Sequence, residues 1–78
     1  NKPNGFGEMN FSNGDNYKGQ FLNGSYHGQG LFMSYNGFTY DGDWSLGIKH
    51  GDGISLKADG NKYNEVWKNG ELISSKPI

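Results

Sequence analysis

The chain has 78 residues, no cysteine, a hydrophobic share of 32% and an aromatic share of 15%. Its net charge is −1, and its seven basic residues are all lysines, dispersed at 2, 18, 49, 57, 62, 68 and 76. These figures exclude a disulfide frame and a thiolate metal site. They also argue against nucleic-acid or polybasic lipid binding, which need clustered cations, and leave Tyr, Phe and Trp to form the core of one small domain or of a piece of a larger one.

In chain order, residues 1–3 are a short flank. Residues 4–16 read NGFGEMNFSNGDN, the second half of a pattern that recurs downstream. A full unit starts at Tyr17 and runs YKGQFLNGSYHGQGLFMSYNGFT over residues 17–39. It predicts a strand over 17–21, a turn at Asn23-Gly24, a second strand over 28–34 and another turn at Asn36-Gly37. The next unit, residues 40–62, reads YDGDWSLGIKHGDGISLKADGNK. A partial unit, residues 63–72, reads YNEVWKNGEL and acts as a cap. Residues 73–78 read as a tail.

The register is strict. All 14 glycines fall in five columns 23 residues apart: 5/28/51, 7/30/53, 14/37/60, 19/42 and 24/47/70. Two aromatic columns accompany them, Tyr17/Tyr40/Tyr63 and Phe21/Trp44/Trp67. Asn-Gly and Asp-Gly pairs are hairpin-turn signals, and no segment shows a helical period. The pattern predicts an all-β fold: a single-layer antiparallel meander of 23-residue hairpin repeats, forming a curved, solenoid-like sheet of about seven strands. Alternation places Tyr17, Gly19 and Phe21 on one face. Gly28 and Gly30, with Gly51 and Gly53 in the next unit, are expected to be seats on which neighbouring rings lie over bare backbone. Gly19 and Gly42 belong to the same scheme. Glu65 replaces glycine in that column and marks the end of the array.

The unit Y-x-G-x-(W/F)-x-x-G-x-x-H-G-x-G resembles the MORN repeat (membrane occupation and recognition nexus) over roughly residues 4–72. The resemblance implies a non-catalytic scaffold or adaptor, intracellular and cytoplasmic, associated with cytoskeleton or membrane. Such repeats also occur as accessory segments of lipid kinases and methyltransferases. The leading expectation is protein–protein interaction, with an amphipathic peptide, a helix or a second copy received on the aromatic face by Tyr17, Phe21, Phe32, Tyr40, Trp44, Tyr63 and Trp67. A homodimer is a further partner class. Alternatives are a peripheral membrane or phosphoinositide-binding module, which the charge disfavours, and a regulatory segment of a larger enzyme.

The opposite face carries Leu31 and Met33, repeated one unit on by Ile54 and Leu56. They form either a second interface or a docking site for the tail. Chemistry of the chain's own is not expected. His27 and His50 occupy equivalent positions about 10 Å apart, too far for one zinc. Asp41, Asp43 and Asp52 lie on the face away from the rings, with no nucleophile or closed pocket suggested beside them. The Gly-x-Gly steps lack the Lys-Ser/Thr of a phosphate loop. No cofactor, metal or nucleic-acid partner is expected.

Overall fold

The computed structural model describes residues 4–78, so the 1–3 flank lies outside it. Seven strands follow one another: β1 (Gly5–Asn10), β2 (Asn16–Leu22), β3 (Ser25–Met33), β4 (Thr39–Ser45), β5 (Ile48–Leu56), β6 (Lys62–Lys68) and β7 (Glu71–Pro77). They pair in chain order as one antiparallel sheet, with no crossover and no closure. The sheet measures 40 × 25 × 16 Å.

Two kinds of connection alternate. Within a unit the turn is two residues with both φ positive: Asn23-Gly24 (50°, 84°), Leu46-Gly47 (52°, 85°) and Asn69-Gly70 (50°, 83°). This is the type I′ geometry, whose twist matches that of the flanking strands. Between units the loop is longer, and only its glycine is left-handed. Gly14, Gly37 and Gly60 have φ of 98°, 94° and 91°, and their N–H groups donate to Phe11, Ser34 and Lys57 carbonyls at 2.9–3.1 Å. The residues before them, Asn13, Asn36 and Asp59, instead accept the N–H two residues on, at 3.0–3.3 Å. One dipeptide signal therefore serves two turn types.

The two glycines of each G-x-G step do different jobs. A β-carbon on Gly30 would lie 2.1–2.5 Å from the Tyr17 phenol, and one on Gly53 would lie 2.2–2.4 Å from that of Tyr40. These second glycines are the ring seats. Gly19 and Gly42 face them across the strand pair, and a β-carbon there would meet the opposing Cα at 2.4 Å. The first glycines, Gly28 and Gly51, have φ of 72° and 92° and lie away from the tyrosines, beside Gln20 and Asp43. Their role is a bulge and not a seat. Between the Gly19–Gly30 and Phe21–Tyr26 pairs, β2 contributes Gln20 alone, while β3 contributes His27, Gly28 and Gln29. β4 and β5 repeat this with Asp43 against His50, Gly51 and Asp52.

The core is a chain of rings. Tyr17 and Tyr40 are fully buried, with Phe21 and Trp44 nearly so. Tyr26 stacks on Tyr17 at 3.7 Å, and Trp44 meets Tyr17, Tyr26 and Tyr40 edge-on at 5.2–5.8 Å. Each buried ring contributes roughly 1.5–3 kcal/mol. The seated phenols are anchored by donating to the Gln20 and Asp43 carbonyls at 2.8 and 3.5 Å.

The C-terminal end departs from the tail expected over residues 73–78. β7 continues through Pro77 and pairs with β6. It does not fold back over Leu31, Met33, Ile54 and Leu56. Ser74 stands where Gly28 and Gly51 stand in earlier units, and only one extra residue, Ile73, is accommodated between the Trp67–Leu72 and Val66–Ser74 pairs. A non-glycine residue resists the left-handed conformation that the longer bulge uses. Beyond Ile73 the strand is therefore one residue out of phase with β3 and β5.

Candidate functional site

The seven residues assigned to the ring face divide into two groups. Tyr17, Phe21, Tyr40 and Trp44 are core. Their rings pack on one another and on glycine, leaving almost no surface to offer. Phe32, Tyr63 and Trp67 are half-buried and keep an accessible flank. Tyr63 has no glycine seat, because Glu65 and Ser75 occupy the facing positions.

The C-terminal half of this face is charged, which the aromatic columns did not reveal. Lys49 takes the place of Tyr26, Ser55 that of Phe32, and Glu65 that of Gly42. Lys49 Nζ lies over Tyr40, Trp67 and Phe38 at 4.6, 4.4 and 5.1 Å from the ring centroids, a cation–π arrangement in place of the Tyr17–Tyr26 stack. Burial lowers the Lys49 pKa and outweighs the attraction of Glu65. Glu65 is buried. It accepts hydrogen bonds from Ser55 Oγ at 2.5 Å and Trp67 Nε1 at 3.0 Å, and pairs with Lys57 Nζ at 3.6 Å. Burial alone would raise its pKa; the Ser55 and Trp67 hydrogen bonds and the two lysines outweigh it and hold the carboxyl below its ordinary value. The signal was present in the sequence as three departures from column type, at 49, 55 and 65.

The opposite face is organised in rows across the strands. One row runs Leu31, Asp41, Ile54, Asn64, Lys76 from β3 to β7. The next pairs Met33 with Thr39 and Thr39 with Leu56. The apolar set Leu31, Met33, Ile54 and Leu56 is thus split by β4, which inserts Asp41 and Thr39. A depression of about 630 Å³ opens on this face, bordered by Asp41, Asp43, Asp52, Ile54, Val66 and Lys76 among others. Ile54 and Val66 are 43% and 38% exposed and form its apolar part. The three aspartates noted in the sequence therefore line a concavity, though an open one.

The two histidines differ: the buried His27 Nδ1 finds no hydrogen-bond partner among the described residues, whereas His50 is structural. His50 Nδ1 accepts the Asn69 N–H at 3.1 Å, fixing the β6–β7 turn against β5. Among the described residues, no three His, Cys, Asp or Glu side chains are grouped so as to hold a metal ion.

No curated protein matches the chain. The family model for the MORN repeat matches residues 1–16, 17–39 and 40–62. These boundaries coincide with the points at which Tyr17 and Tyr40 open new hairpins. With 62 residues matched in three consecutive units, the chain belongs to the MORN-repeat family.

Proposed function

We propose that this chain is a protein-interaction scaffold that docks a partner segment on the sheet face turned away from the rings. MORN repeats are generally protein- or membrane-interaction modules and a non-catalytic repeat type. The observation that carries the choice of face is the depression floored by Ile54 and Val66. Apolar surface left open in a concavity marks a binding surface more often than scattered exposed residues do. The ring face supports a second, narrower reading. There a partner would contact the strip formed by Phe32, Tyr63 and Trp67, since the other four rings are consumed by packing.

The test compares three immobilised baits: wild type, Ile54→Ser and Phe32→Ser. Each is first shown to unfold cooperatively. Captured proteins are identified from lysate of the source cells. Specific loss with Ile54→Ser supports the open face. Loss with Phe32→Ser alone transfers the site to the ring strip. A folded wild type that retains nothing specific removes the scaffold reading for the isolated chain.

A further inference from the structure

We infer that the depression on the open face takes a basic amphipathic helix of about a dozen residues, lying across the strands from β3 to β7. This rests on the docking face proposed above and names the chemistry of its partner.

Charge is the first ground. The depression presents Asp41, Asp43 and Asp52 against a single Lys76, while the whole chain is nearly neutral at −1. Glu65 also borders it, but its carboxylate is engaged by Ser55, Trp67 and Lys57. Asp43 accepts a hydrogen bond from the Gln29 amide. Asp41 and Asp52 are exposed and make no hydrogen bond or ion pair among the described residues. Two uncommitted carboxylates therefore flank apolar surface at Ile54 and Val66. A segment with lysine or arginine beside a leucine-type stripe complements that arrangement; an anionic membrane or nucleic acid does not.

Backbone chemistry is the second ground. Strands β3 to β6 under the depression are paired on both sides, and the outer main-chain groups of the edge strand β7 point sideways in the plane of the sheet and not onto its face. An extended peptide laid on the face would find no main-chain partners and would bury its own N–H and C=O groups unpaired. A helix satisfies its backbone internally and presents only side chains. The span fits as well. Four strand spacings from β3 to β7 cover about 19 Å, the length of a helix of about 13 residues. The charge asymmetry sets orientation, with the basic residues over β4 and β5 and an acceptor reaching Lys76 on β7.

The probe is a displayed library of 14-residue helix-forming peptides. Each carries a fixed leucine stripe at i, i+3, i+4 and i+7 spacing, with the flanking positions randomised among Lys, Glu and Gln. It is selected against wild type, Asp41→Asn/Asp52→Asn, Ile54→Ser and Phe32→Ser at near-physiological salt. The wild type is expected to enrich Lys over Glu at least about tenfold. The double asparagine variant should lose that preference and bind the selected peptides about tenfold more weakly, as expected for two partly exposed ion pairs. Ile54→Ser should weaken them regardless of charge. Peptides selected with no charge preference, yet lost in Ile54→Ser, would overturn the basic-helix inference and leave the docking face standing. Peptides lost in Phe32→Ser but not in Ile54→Ser would overturn both. No enrichment by folded wild type overturns the inference, and the lysate comparison then judges the docking face separately. Vesicles of phosphatidylcholine with phosphatidylserine serve as the membrane arm; binding that is lost in Ile54→Ser also overturns it.

Discussion

A single β-carbon separates a seat from a spacer. Gly7, Gly30 and Gly53 share one sequence column, yet only the latter two carry a tyrosine. A methyl group on Gly7 meets nothing closer than the Phe21 ring edge at 3.3 Å, whereas on Gly53 it would overlap the Tyr40 phenol at 2.2 Å. Gly53→Ala and Gly30→Ala are therefore expected to cost more than about 3 kcal/mol through ring displacement, and Gly7→Ala less than about 1 kcal/mol. Urea denaturation of the three variants checks this, and similar losses for all three would refute the seat. The seated tyrosines also predict an alkaline limit. Burial pushes the Tyr17 and Tyr40 phenols up to about 12, against 10 when unfolded. Below pH 10 both states hold the proton and this contribution is complete. Between pH 10 and 12 the unfolded state loses protons first, so stability falls, by on the order of 2–3 kcal/mol per tyrosine. Tyr40→Phe keeps the ring and should flatten that part of the slope. An unchanged slope would place the alkaline loss elsewhere.

At the scale of elements, the three hairpin turns share one backbone but not one residue choice. Asn occupies the first left-handed position at 23 and 69, where Leu46 stands in the middle unit with φ of 52° and 71% exposure. A branched residue there is strained by about 1–2 kcal/mol, and asparagine much less. Leu46→Asn should therefore raise the unfolding free energy by about 0.5–1 kcal/mol, read from the denaturation midpoint; a lower midpoint would mean that the leucine makes a stabilising contact. The β6–β7 hairpin is held differently from its predecessors, by Glu65 in place of a glycine–tyrosine seat. Glu65→Ala should cost about 1–3 kcal/mol, because Ser55 and Trp67 lose their acceptor. Since the folded Glu65 carboxyl is depressed, its contribution is present above the ordinary carboxylate range. It is lost as pH falls through the folded value. In Glu65→Gln the acid-side slope should shrink, and a slope equal to wild type would show that other carboxylates dominate.

Across the whole molecule, each unit touches only its neighbours, so stability is a sum of local hairpins and the interfaces between them. Every β7 residue is exposed, while Tyr17, Phe21, Tyr40 and Trp44 bury β2 and β4. Amide exchange should be slowest in β2 to β4 and fastest in β7. Uniform protection along the array would contradict a nearest-neighbour account. The same openness leaves one face free for a partner, because a one-layer sheet packs its rings on one side and has no second layer to cover the other.

Much of this was legible in the sequence because it follows from local periodicity. Twenty-three-residue spacing, alternation and turn dipeptides determine an all-β meander of hairpins, its strand order and the seating of aromatic rings on glycine. These depend only on which residues lie two apart along a strand or opposite across a turn. The rest depended on register, curvature and burial, which are collective. Column membership could not separate Gly28, a bulge, from Gly30, a seat. It could not show that four of the seven rings bury one another. Nor could it show that Ser74 puts β7 one residue out of phase, since the bulge forms only when two strands are held in register. Asp41, Asp43 and Asp52 were visible as charges on the open face, but a concavity among them arises only when β3 to β7 are assembled and twisted together.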